Sequence, residues 1–237
     1  ELVSKWGADT ISRFTRNIKV PKHSDYVCLT ALTVCSTYSN AVMGLLRGGL
    51  KMPAKALLRI LFEVSAKVLW CLNQPEADET GSGVEEKIQR WRKTALEQGI
   101  KLRERIVEMT SGAVKDRNKE ALKALEEQSA QLSCKQMPDF VCLTKQLGGL
   151  WPQEFYTRLY AQFLDAVHLD FASLAEKARD DGHTVHVTCD SDESIEELVQ
   201  YCTVDLHILF FAIRSHYGWD TNEMDGDFKA MKQSDDA

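Results

Sequence analysis

No Cys-x-x-Cys pair occurs among the seven cysteines (Cys28, Cys35, Cys71, Cys134, Cys142, Cys189 and Cys202), so a structural zinc site of the usual spacing has no support. Odd in number and scattered, they form no disulfide framework either. Several lie inside apolar helical pattern, where free cysteine behaves as a small buried hydrophobe, and the compartment expected is a reducing cytoplasm. A glycine-rich phosphate loop, a G-x-S-x-G elbow and a recognisable cysteine nucleophile context are absent as well, which leaves the chemistries built on them without an anchor. Basic excess is also missing. With 29 basic and 35 acidic side chains the net charge is -6, and no global field favours nonspecific nucleic-acid binding. Long uncharged apolar runs are lacking too: residues 54–72, the most apolar stretch, contain Lys55, Arg59, Glu63 and Lys67, which make bilayer insertion expensive. No membrane span is expected, and residues 1–22 hold no apolar signal core. The chain opens with Glu1 in place of Met, as a trimmed or excised piece would.

What is present is helical periodicity, punctuated by only five prolines. Residues 2–18 place Val3, Trp6, Ile11 and Phe14 on a broken apolar face that Pro21 ends. A second helix is expected over 25–46, capped by Ser24 and stopped by Gly48-Gly49. Pro53 suits the first turn of a third, which runs to Leu72 and is apolar around most of its circumference, so it belongs in the middle of a bundle. Residues 84–109 then change character, being dense in charge with a narrow seam of Ile88, Trp91, Ala95, Leu102, Ile106 and Met109. After Ser111-Gly112, Leu122, Leu125, Ser129 and Leu132 repeat that seam, and the pair reads as a charged helical hairpin projecting from the core.

Further helices are expected from Pro138 to Leu147, from Pro152 toward Lys177, and from a cap at Ser191 or Ser194 through Ile213. Only residues 183–190 alternate like a strand. The fold class is all-α: a multi-helix bundle with a protruding charged helical hairpin and at most one short strand. One helical domain spans 1–220 with the hairpin inserted at about 84–133, followed by an acidic, frayed tail over 221–237.

Lys55, Arg59, Glu63 and Lys67 recur every four residues, so they share one stripe of the central helix. The simpler reading makes the stripe a solvated face with an ordinary Arg59–Glu63 pair; if it is covered, buried charges need partners and a site becomes worth asking about. On the helix after Pro152, Tyr160, Leu164 and His168 lie near one ridge, and His168 titrates near neutrality. Asp165 and His168 with Glu63 are too few for the paired Glu-x-x-His of a di-iron site, and His183-x-x-His186 lacks a third ligand, so no metal and no cofactor is expected.

The passages PAKALLRILFEVSAKVLWCL and MPDFVCLTKQLGGLWPQEFYTRLYAQFLDAVHLDFASL resemble a bacterial family of helical domains of unknown function, which has an Arg-x-x-x-Glu helix and a Tyr-rich helix ending in His. The resemblance covers roughly residues 53–174 and marks Arg59, Glu63, Tyr156 or Tyr160, and His168. Where that family has a Ser shortly before the His, this chain has Leu164-Asp165, so no hydroxyl role is implied. A second resemblance is to HEPN-type helical ribonucleases, in which His follows Arg after four to six intervening residues. Arg16 with His23 and Arg179 with His186 satisfy that spacing, but Pro21 and Gly182 interrupt the segments between them.

Two functions follow. The first is a noncatalytic interaction or regulatory module, in which the hairpin binds a protein partner or a second copy and Arg59, Glu63, Tyr160 and His168 fix the bundle. The second is a HEPN-like, metal-independent ribonuclease or defence effector, in which His168 is the acid/base, Arg59 stabilises an anion, and Glu63 and Tyr160 position the substrate.

Overall fold

Three helices carry apolar residues on more than one face, and they assemble against one another to form the core. The computed structural model describes residues 2–18, 22–72, 83–147, 178–180, 185–187, 193–222 and 224–227. Within these, the chain is all-α in class: α1 (Leu2–Asn17), α2 (His23–Arg47), α3 (Lys51–Leu72), α4 (Val84–Met109), α5 (Gly112–Ala130), α6 (Phe140–Gln146) and α7 (Ile195–His216), with two three-residue strands, β1 (Ala178–Asp180) and β2 (Val185–Val187). The helix expected after Pro152 lies outside the described residues, as do Tyr156, Tyr160, Asp165 and His168.

α3 is central because its composition allows nothing else. Leu58, Leu61, Phe62, Val68 and Leu69 are all fully buried, and the helix packs on α2, α4, α6 and α7. Burying each such side chain contributes about 1.5–3 kcal/mol, so this helix supplies a large part of the hydrophobic driving force. α2 reaches it through a tight connection in which Gly49 adopts φ 74° and Leu50 N donates to Leu45 O at 2.9 Å. A side chain at Gly49 would be strained there. α2 is long and apolar enough by composition to cross a membrane. In the bundle, however, Cys28, Leu32, Cys35 and Val42 line its packed face. Its outer-face Thr33 and Thr37 return their hydroxyls to Leu29 O and Thr33 O.

The cap of α2 differs from expectation. Lys22 is the cap residue, and its backbone N donates to Asp25 Oδ2 at 2.6 Å. Ser24 sits inside the first turn, where its otherwise orphaned N–H donates to Glu85 Oε1 of α4 at 3.2 Å. The α7 cap is Ser194, in a reciprocal capping box with Glu197. β2 is the expected strand. Its partner is β1, paired antiparallel with Arg179 opposite His186, so the expectation of at most one strand gives way to a pair. A lone strand would leave its backbone groups unpaired, which is why a second one accompanies it.

α1 crosses the core closely at Gly7, where a Cβ would lie 2.9 Å from Ser36 Oγ. α7 holds α1 from beneath through Arg214, which is buried and donates to Thr10 Oγ1 (2.9 Å), Trp6 O (3.3 Å) and Asp9 Oδ2 (2.9 Å). The start of the tail expected to fray is held against this assembly. Met224 is 1% exposed, and Asp227 accepts from Trp6 Nε1 at 3.2 Å and from Lys5 Nζ at 3.3 Å.

α4 is buried only at Lys87 and Ile88, so it leaves the bundle within its first two turns. Its base is fixed to α3 by Trp70: Lys87 Nζ lies 5.5 Å and the Arg90 guanidinium 5.3 Å from the ring centroid, while Trp70 Nε1 donates to Gln146 at 2.7 Å. From there α4 runs out for most of about 39 Å at 1.5 Å per residue. α5 returns along it after Gly112 (φ 58°) turns the chain.

Candidate functional site

Among the described residues, three places could carry function: the charged stripe of α3, a cleft at the end of α7, and the α4–α5 arm. The stripe is not a single solvated face. Lys55 and Arg59 are buried, at 7% and 8% exposure, whereas Glu63 and Lys67 are partly open. Lys55 is covered by Glu193, just before α7, whose two carboxylate oxygens accept from Lys55 Nζ at 3.0 and 2.8 Å. Nearly three turns on, Ser65 Oγ donates at 2.7 Å to Asp205, a fully buried carboxylate. The intrahelical ion pair seen on the stripe is Lys67–Glu63 at 2.6 Å, where the spacing had allowed Arg59–Glu63 equally. Partly exposed, it is worth about 0.3–0.5 kcal/mol.

Of the four site residues expected, the structure therefore places two, Arg59 inside the bundle and Glu63 at its edge, and Tyr160 and His168 fall outside the described residues. The Arg–His pairs of the ribonuclease reading sit on separate elements. Arg16 is near the end of α1 while His23 opens α2, and Arg179 and His186 lie on opposite strands. Among the described residues no group of three or more His, Cys, Asp or Glu side chains is placed to hold a metal ion.

Sequence reasoning missed the cleft, whose volume is about 380 Å³ and whose lining includes Asn17, Lys22, Asp25, His216 and Tyr217. Tyr217 OH donates to Asp25 Oδ1 at 2.5 Å, and Asp25 Oδ2 is already taken by Lys22 N. Burial first of all, then the neighbouring Cys28 and Asp25, push the Tyr217 hydroxyl far above its ordinary value, so it stays protonated and keeps donating. Burial likewise pushes the Cys28 thiol up to about 12. His216, stacked edge-on to Tyr217 at 4.9 Å, is lowered chiefly by burial. With both Asp25 oxygens engaged and the phenol locked, this cluster is a clasp between the start of α2 and the end of α7. Among the described residues it holds no poised proton-transfer pair. Its partners stand 192 residues apart in sequence, so no local signal could have announced it.

The arm has a different character. Its inner surface uses Gly99, where a Cβ would meet Leu125 at 3.4 Å, a hydrogen bond from Arg103 to Asn118, and Lys93 Nζ donating to Ser129 O at 2.7 Å. The connection after α5 ties back across the base, with Met137 N donating to Thr94 Oγ1 at 2.8 Å. The seam expected inside the hairpin is split. Ile88 and Trp91 pack against the core and Ile106 is half-buried, but Ala95, Leu102 and Met109 face solvent. Leu102 is 59% exposed, Met109 86% and, across the turn, Val114 57%. The face toward α5 includes Lys93, Gly99 and Arg103, while Leu96, Ile100 and Val107 are partly buried.

The sequence profile of a Family of unknown function (DUF5677) matches residues 25–184, a span that begins in α2, contains α3 and the whole arm, and ends before β2. Neither the curated proteins nor the solved structures provide a match.

Proposed function

The chain belongs to DUF5677, a family of unknown function, and we propose that it is a helical interaction module whose contact element is the α4–α5 arm. One observation carries this reading: a two-helix arm leaves the core after Ile88 and ends in exposed Leu102, Met109 and Val114. Large apolar side chains left in water along a projecting element contribute little to the chain's own core, and apolar surface exposed in this way is available for contact. The body supports the arm in two ways. Trp70 with Lys87 and Arg90 fixes its base, and the Lys55–Glu193 and Ser65–Asp205 contacts hold α7 on the helix the arm springs from. Arg59, Glu63, Tyr160 and His168 then serve to fix the bundle. The arm's partner is a protein, and the compartment in which they meet is the cytoplasm, consistent with the absence of disulfides among the described cysteines.

The test is site-specific photocrosslinking in the cells that make the protein, with the reactive group at position 109 and a control group at Glu126, which is exposed on α5. A discrete covalent adduct from position 109 that the control does not give is the expected result. Adducts of equal yield from both positions, or none from either, would sink the reading.

A further inference from the structure

Ile88, Ala95, Leu102 and Met109 repeat every seven residues along α4. On an undistorted helix such a line drifts only about 20° per heptad, so all four stay within one narrow strip. The strip begins as an established packing seam, with Ile88 5% exposed beside Trp91 in the core. It continues outward as Ala95, Leu102 and Met109, all exposed. On one flank α5 is already seated through Gly99 and Arg103. On the other flank helical spacing puts Lys101 and Arg105, both exposed, with Gln98 and Glu108. The whole arm, residues 84–130, holds 11 of the 29 basic residues but only 9 of the 35 acidic ones. From Gln98 through Lys119 inclusive there are six cations against three anions.

We infer that this strip receives an amphipathic helix with acidic flanks from another protein, laid along α4 with its apolar residues at heptad spacing between Ala95, Leu102 and Met109. The inference rests on the interaction reading and names its surface and partner chemistry. Spacing favours a helix, because side chains about 10.5 Å apart along the axis recur at the heptad interval by which one helix packs on another. Charge selects its sign. Lys101 and Arg105 are exposed on the open flank of the strip, where charges choose partners by complementarity. A second copy laid parallel and in register would set Lys101 and Arg105 beside the same cations, and like charges across a helix pair are unfavourable.

The experiment uses the full chain and two synthetic four-heptad peptides, each with Leu at a and d, one with Glu and one with Lys at e and g. Binding is read by fluorescence anisotropy at low salt. The Glu peptide should bind saturably and at least about tenfold more tightly than the Lys peptide. Leu102→Ser and Met109→Ser should each weaken it by about tenfold. Both residues are exposed, so circular dichroism and melting temperature should be unchanged in these variants. Lys101→Glu with Arg105→Glu should invert the preference between the two peptides. The inference is overturned by equal binding of both peptides, by binding indifferent to Leu102→Ser, by Leu102-dependent dimerisation of the chain alone, or by RNA that competes for the same strip. If crosslinking from position 109 traps a protein while the Glu peptide does not bind, this partner chemistry is wrong and the interaction reading stands. If no adduct forms at position 109, the interaction reading itself falls.

Discussion

Removing the Glu193 carboxylate should destabilise the chain far more than its position in a connecting segment suggests. Glu193 and Lys55 are each 7% exposed, and both carboxylate oxygens accept from the ammonium at 3.0 Å or less. Taking two charges out of water is expensive, and their attraction offsets that cost only while both are present. Truncating one leaves the other buried beside a space its partner filled, which costs about 3–5 kcal/mol. For a chain of this size each kcal/mol corresponds to roughly 2–4 °C in melting temperature, so Glu193→Ala should melt about 6–20 °C below the parent. Lys55→Met should fall in the same range. The double variant Lys55→Met with Glu193→Leu, which replaces the pair by apolar side chains of similar volume, should recover most of the loss. Urea unfolding followed by circular dichroism gives the three free energies and their coupling. A single variant costing less than about 1 kcal/mol, or a double variant as unstable as the sum of the singles, would refute the claim that Lys55 and Glu193 form a buried pair holding the start of α7 to α3.

Thiol reactivity should divide the described cysteines by burial. Cys28, Cys35, Cys71 and Cys202 are buried, with burial pushing the first three thiols up to about 12, so iodoacetamide should modify them only on unfolding. Exposed Cys142 should react in the native state, and faster in Asp139→Asn, because the Asp139 carboxylate raises its thiol; peptide mass mapping reads both outcomes, and native labelling of Cys28 would contradict the packing. Stability should also fall as pH drops below about 6.5. Burial lowers His216 against the opposing pull of Asp25, with Lys22 adding to the lowering, so the unfolded chain takes up that proton more readily than the folded one and acid favours unfolding. His216→Asn should flatten the change in urea midpoint between pH 7.5 and 5.5, and an unaltered slope would count against the clasp at the end of α7.

Much of the fold could be read from the sequence because helix ends and apolar periodicity are local properties. The limits of α3 and α4, the turn at Ser111-Gly112 and the Ser194 cap depend on Pro, Gly and capping chemistry within a few residues of the position concerned. Where local chemistry was ambiguous, the reading slipped. Ser24 looked like a cap, but its N–H had a better acceptor in Glu85, 61 residues away. At the start of the acidic tail, Asp227 meets Trp6 and Lys5 at the opposite end of the chain, a contact that no local signal announces.

By itself the sequence determined that α3 must be central, that a charged two-helix arm follows it, and that a four-residue repeat of charge lies along one stripe of a helix otherwise apolar. Those are consequences of periodicity, which needs no partner to be visible. Only the tertiary structure decided what covers the stripe and which way the seam of the arm faces. Glu193 comes from 138 residues away to bury Lys55, and Gly99, Lys93 and Arg103 lie on the face toward α5, while Leu102 and Met109 face solvent. A spacing states which side chains share a face of a helix; the free energy of packing decides what that face meets, because it sums over neighbours that the chain brings from elsewhere.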